Sequence, residues 1–167
     1  MFEIEKNRLV RASNVIIQNI CEQNTPDTRV RNEGDIKAVT DLFKEVLEFD
    51  LADYIKHVIR LGKYDTERAH PRLIKVIFEK EENASQVLRS LGKLRNAQTD
   101  TNSELKDIHI FKDLTQTDRE KRKALVEQMK EQNEELKKNH VVDQRVVIRG
   151  DKLVKVKVDT TKQKKPF

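Results

Sequence analysis

Asn14-Val15-Ile16-Ile17-Gln18-Asn19-Ile20 and Arg72-Leu73-Ile74-Lys75-Val76-Ile77-Phe78 are the runs on which the reading of this chain turns. Both are rich in β-branched residues, which suit a pleated surface, so both are expected to be strands. Between them, Asp35 to Phe49 carries apolar residues at Ile36, Val39, Leu42, Phe43, Val46 and Leu47, a single stripe at helical spacing, with Asp35 placed to cap it. Ile55 to Leu61 is a third strand, separated from Arg72–Phe78 by the turn-rich Gly62–Pro71 segment. Glu81 to Leu94 returns to helical spacing, and Ile108 to Phe111 is a last short strand. The order strand, helix, strand, strand, helix, strand is the ferredoxin-like βαββαβ plan, an α+β sandwich. That plan hosts many activities, so it does not itself fix a function.

The flanks read differently. Residues 1–13 form a short helical stub, in which Phe2, Leu9, Ile4 and Val10 would be the end of a coiled-coil seam. Thr117-Asp118-Arg119-Glu120 matches a capping box and opens a long charged helix, to about Asn139, with sparse apolar residues at Leu125, Val126, Met129 and Leu136. So charged a helix is expected to be a solvated arm or spacer. Arg145–Arg149 and Lys152–Val158 flank Gly150-Asp151 as a β-hairpin, with Arg149 opposite Lys152, Ile148 opposite Leu153 and Val147 opposite Val154. Because an isolated hairpin is marginal in water, it must dock on something. Four segments result: 1–13, a domain at 14–114, a helix and hairpin module at 115–158, and a basic tail at 159–167 expected to be disordered.

Of the 167 residues, 36% are hydrophobic and 38% charged, a polar balance for a globular chain. No run of about 18 apolar residues exists, so no membrane span is expected. A single cysteine, Cys21, suits a reducing compartment, and the chain reads as soluble and intracellular. The net charge of +5 is unevenly placed. Residues 141–167 hold eight basic and three acidic residues, whereas the other 140 hold 26 of each. This concentration of positive charge points to a polyanionic partner.

Several stretches carry a resemblance. Ser13-Asn14-Val15-Ile16-Ile17, Val58-Ile59-Arg60-Leu61-Gly62-Lys63, Pro71-Arg72-Leu73-Ile74-Lys75-Val76-Ile77-Phe78, Phe111-Lys112-Asp113-Leu114-Thr115 and Val147-Ile148-Arg149-Gly150-Asp151-Lys152-Leu153-Val154 occur in order. Together they resemble the gag-like, first-open-reading-frame proteins of LINE-type non-LTR retrotransposons, over roughly residues 11–158. The resemblance implies an RNA-recognition-motif-like domain followed by a small C-terminal module. It further implies a ribonucleoprotein role, in the cytoplasm or nucleus, as a coat and chaperone for RNA or single-stranded DNA. Homo-oligomers formed through an N-terminal coiled coil are also implied.

Standard RNA-recognition motifs stack bases on aromatics of the two central strands. Here, with Val15, Ile17, Ile74, Val76 and Phe78 turned inward, the outward positions are Ile16, Gln18, Leu73, Lys75 and Ile77, none aromatic. Phe111 or His109 on the fourth strand is left as a source of one ring. Affinity is therefore expected from phosphate contacts without sequence preference. If Ile55, Ile59 and Leu61 fill the core, Lys56 and Arg60 share an outer face; Lys63 and Arg68 lie in the next loop, and Arg72 and Lys75 on the strand after it. With Arg145, Arg149, Lys152, Lys155 and Lys157 of the hairpin they make up the expected nucleic-acid site. Against this, Arg60 and Lys75 could simply pair with Glu79 or Glu82.

Neither a catalytic residue nor a metal or cofactor site is expected. His57, His70, His109 and His140 lie in separate segments, and no nucleophile elbow, zinc-protease or phosphate-loop pattern occurs. The chain is accordingly read as a non-enzyme with no small-molecule substrate. A rival reading makes the sheet and long helix a protein-docking module, with Ile16, Leu73 and Ile77 as an exposed apolar patch.

Overall fold

A computed structural model describes residues 2–99 and 104–158, the side chain of Ile4 excepted. The basic tail at 159–167, and residues 100–103, lie outside the described residues. The chain divides into two compact units, one ending at Asp113 and the other beginning at Leu114.

The first unit opens with helix α1 (Phe2–Ala12), whose Phe2, Leu9 and Val10 are exposed. Strand β1 (Asn14–Gln18) follows, then helix α2 (Thr28–Asp41), strand β2 (Ile55–Arg60), strand β3 (Ile74–Phe78), helices α3 (Glu81–Arg89) and α4 (Leu91–Ala97), and strand β4 (His109–Lys112). The four strands form one antiparallel sheet in the order β2-β3-β1-β4, so the unit is mixed α+β. Val15, Ile17, Ile74, Val76, Phe78 and Ile110 of the sheet pack with Val39, Leu42, Phe43, Leu47, Ala84 and Val87 from the helical segments, giving one continuous apolar core. Alternation along the strands explains why these residues share a face.

Helix α2 begins seven residues before the expected start. Asp27 is its N-cap, accepting a hydrogen bond from the Arg29 amide at 2.9 Å. Asp35 is therefore not a cap but lies buried inside the helix. The α2 spiral widens into a π-helical turn at Leu42–Val46, where Leu47 N–H donates to Leu42 O. That turn carries Leu42, Phe43 and Leu47 into the core, while Ile36, at the start of the expected stripe, is 41% exposed. The helix expected over Glu81–Leu94 breaks at Ser90, whose hydroxyl donates to Gln86 O at 2.8 Å and so competes with the helical ladder.

Strand β2 departs most from expectation. Its pairing with β3 shifts between Ile55 and His57, a bulge at Lys56. One extra residue reverses which side chains face inward. Val58 is buried and Ile59 is 45% exposed, the opposite of the phase that would place Ile59 and Leu61 in the core.

In the second unit, helix α5 (Gln116–Lys138) is capped by Thr115, whose Oγ1 accepts from the Asp118 amide at 3.2 Å. The cap thus sits two residues before the expected Thr117–Glu120 box. Strands β5 (Gln144–Arg149) and β6 (Lys152–Lys157) form the expected hairpin in the expected register, turning at Gly150 with φ of 60°. α5 is no bare spacer: its half-buried Leu125, Val126, Met129, Asn133 and Leu136 recur at helical spacing, and the hairpin packs along it. Asn133 exchanges two hydrogen bonds with the Val146 backbone, at 2.9 and 2.7 Å, extending the open edge of β5 as a strand would. Arg122 donates to Gly150 O at 3.3 Å.

Candidate nucleic-acid interface

In the hairpin, residues directly opposite share a face, and successive pairs alternate between faces. Arg145 with Val156, Val147 with Val154, and Arg149 with Lys152 therefore lie on one face. Gln144 with Lys157, Val146 with Lys155, and Ile148 with Leu153 lie on the other. All five basic side chains are exposed. Three sit on one face and two on the other, so the hairpin presents cations on both sides and not as a single wall.

Two of these cations, Arg149 and Lys152, are directly opposed across the strands. Like charges so placed destabilise a hairpin. Among the described residues no carboxylate forms an ion pair with any of the five.

The sheet treats its basic residues differently. The bulge turns Arg60 towards α2, where its guanidinium is 4% exposed and is held by both Asp35 carboxylate oxygens, at 2.7 and 3.1 Å. It also donates to the carbonyls of Ile20, Cys21 and Arg72. Arg60 therefore does not share an outer face with Lys56; it fastens the ends of β1 and β3 to α2. Nor is its partner a surface glutamate.

Arg72 is also committed. Its guanidinium forms a two-pronged contact with Glu22, donates to Gly62 O at 2.6 Å, and approaches the Tyr64 ring. Arg31 lies 3.9 Å over the same ring and pairs with Glu22. The hydrogen bond from Arg72, outweighing burial, holds the Glu22 carboxyl below its ordinary range and raises Arg72 in turn. Neither Arg60 nor Arg72 offers its donors to a ligand.

Lys75 does emerge on the outer face of the sheet, but it is paired with Asp113 at 3.0 Å. Asp113 also accepts from Asn14 and Arg11 at 2.9 Å. Burial raises the Asp113 carboxyl, yet the hydrogen bonds from Asn14 and Lys75, with the nearby charges, more than offset it and leave its pKa lowered. Lys56, Lys63 and Arg68 are exposed. Arg68 lines a cleft of about 310 Å³ together with Tyr64, His70 and Gln23.

Register fixes what the outer face carries. Ile59, Lys75, Ile16 and Phe111 form one row across it, and Gln18 lies opposite His109. The ring left unassigned in the sequence is thus Phe111, 40% exposed, with His109 on the same face. The two central strands supply no aromatic. Ile16, expected as part of an exposed patch, is only 5% exposed.

Of the eleven expected site residues, the hairpin brings five together in the second unit. Lys56, Lys63 and Arg68 remain open in the first, and Arg60, Arg72 and Lys75 are spent on internal ion pairs. Sequence reasoning missed Tyr64, the platform for two guanidiniums. An aromatic among Gly62, Lys63, Arg68 and Arg72 was the available signal.

No helix among the described residues is long and apolar enough to cross a membrane. No model of a known protein family matches this chain, and no curated protein matches it in sequence.

Proposed function

We propose that this chain binds RNA or single-stranded DNA with little sequence preference, as an RRM-like, ferredoxin-like domain carrying a basic C-terminal module. The resemblance to gag-like retrotransposon proteins makes a ribonucleoprotein coat and nucleic-acid chaperone the natural setting, and a non-catalytic one. One observation carries the reading: Arg149 and Lys152 face each other, flanked by Arg145, Lys155 and Lys157, without carboxylate partners among the described residues. A hairpin so built is under electrostatic stress that a polyanion lying across it relieves. Phosphate groups placed there release counterions, so affinity depends on salt and not on base identity.

Filter binding of a single-stranded oligonucleotide at 50 and 200 mM salt tests this. Each phosphate neutralised contributes about −0.7 to the logarithmic salt slope for single strands. Five hairpin cations therefore predict roughly a hundredfold affinity loss across that interval. No retention at 50 mM, or affinity indifferent to salt, removes the proposal.

A second reading has its own observation. Phe111 and Ile59 are 40% and 45% exposed on the outer face of the sheet, as suits protein docking. If Phe111→Ala leaves nucleic-acid retention unchanged but abolishes self-association, that face serves assembly. The hairpin keeps the nucleic acid.

A further inference from the structure

Strand β2 is an outer strand of the sheet, and its outer edge has a definite pattern. Leu61 N–H donates to Leu73 O at 2.8 Å. Two and four residues back along the ladder, Ile59–Lys75 and His57–Ile77 are then the hydrogen-bonded pairs of an antiparallel ladder. The backbone N–H and C=O of Val58 and Arg60, in the intervening pairs, point away from β3. The bulge at Lys56 limits this regular edge to the stretch beyond it.

Beside the edge runs a groove of about 730 Å³ between α2 and β2. Ile36 on its helix side and Ile59 on its strand side are 41% and 45% exposed. The lining carries an excess of positive charge. Arg29, Arg31, Lys56, Arg60 and Arg72 contribute five cations, and Asp35, already held by Arg60, is the only carboxylate. From outside the lining Glu22 pairs both Arg31 and Arg72, and Glu33 pairs Arg29, so Lys56 is the lining cation with no ion pair among the described residues.

We infer that this edge takes up an extended acidic peptide by strand addition. Alternating N–H and C=O groups are complementary to another extended peptide backbone and not to a sugar–phosphate chain. The exposed isoleucines meet alternate side chains of the added strand, and its acidic residues meet Lys56 and Arg29, the exposed cations of the rim. A second copy of this chain is a poor occupant, because two such edges would bring two basic linings together. The site uses none of the hairpin cations and stands apart from nucleic-acid binding.

The test follows the amide groups of the full-length chain by NMR and hydrogen exchange. The probe is a blocked heptapeptide, Asp-Val-Glu-Val-Asp-Val-Glu. Its twin is N-methylated along one edge, and a twelve-nucleotide oligouridine serves as the nucleic-acid control. The heptapeptide is expected to shift and protect the Val58 and Arg60 amides, with the twin about tenfold weaker. Ile36→Lys and Lys56→Glu, both at exposed positions, are expected to weaken the heptapeptide by a similar factor. Equal binding of the twin, or shifts confined to other strands, overturns the inference, as does no binding at about 1 mM peptide. Protection of the same amides by oligouridine, or by raising the concentration of the protein alone, assigns the edge to another occupant and overturns it equally.

Discussion

Arg60 and Lys152 are both basic residues on strands, and their surroundings give them opposite roles. Arg60 is sealed against Asp35 and three carbonyls. Removing one member of a buried pair leaves the other charge uncompensated, at a cost of about 3–5 kcal/mol. Asp35→Asn is therefore expected to lower the urea midpoint sharply while leaving the salt slope of oligonucleotide binding unchanged. Lys152 faces Arg149 in the open. Lys152→Glu turns a repulsive cross-strand pair into an attractive one, stabilising the hairpin by about 0.2–1 kcal/mol. The same change is expected to weaken oligonucleotide retention several-fold, since a phosphate contact becomes a repulsion. Stability and affinity moving in opposite directions distinguishes a binding cation from a structural one; a loss of both would contradict the assignment. Glu22 and Asp113 add a pH dependence. Both carboxyls are held below their ordinary values, so the stability they contribute is fully present above those values of 4.5 and 3.8. It is lost as pH falls through the lowered folded values. Glu22→Gln is expected to flatten that acid limb in pH-dependent urea melts.

Elements show how neighbours decide boundaries. α2 runs through Gly34 because Asp27 caps it and Asp35, Val39 and Leu42 anchor it, although glycine weakens a helix interior. A Cβ at Gly34 would approach the Gln23 side-chain amide at 2.7 Å, and Gln23 is exposed and able to swing aside. Gly34→Ala is thus expected to stabilise the first unit by up to about 1 kcal/mol. A destabilisation in urea melts would mean that the Gln23 contact is rigid. The break between α3 and α4 and the displaced cap of α5 have the same kind of cause: a hydroxyl competing for backbone groups, Ser90 in one case and Thr115 in the other. Helix α2 and the cap of α5 are legible as composition but not as position, and the break at Ser90 is not legible in the sequence, whose spacing predicts one continuous helix over Glu81–Leu94. Several candidate caps stand near each end, and only packing selects among them.

The two units differ in how much they bury. The first has a continuous core from sheet and helices; in the second, Val146 is the only apolar residue of the described hairpin and helix that is fully buried. Protection against hydrogen exchange is accordingly expected to be lower in β5 and β6 than in β1 and β3, and an added oligonucleotide should raise it in the hairpin alone. Uniform protection across both units would contradict this. The sequence by itself determined the element order, the inward residues of β1 and β3, the hairpin register and the surplus of positive charge at the C-terminal end. Each of these follows from local periodicity, turn chemistry or composition. Only the tertiary structure decided which cations remain available. A one-residue bulge reverses the phase of β2 and leaves no mark in the hydrophobic pattern. The carboxylates that neutralise Arg60, Arg72 and Lys75 are 25, 50 and 38 residues away along the chain. Charge pairing acts through space, and no pattern read along the chain records it.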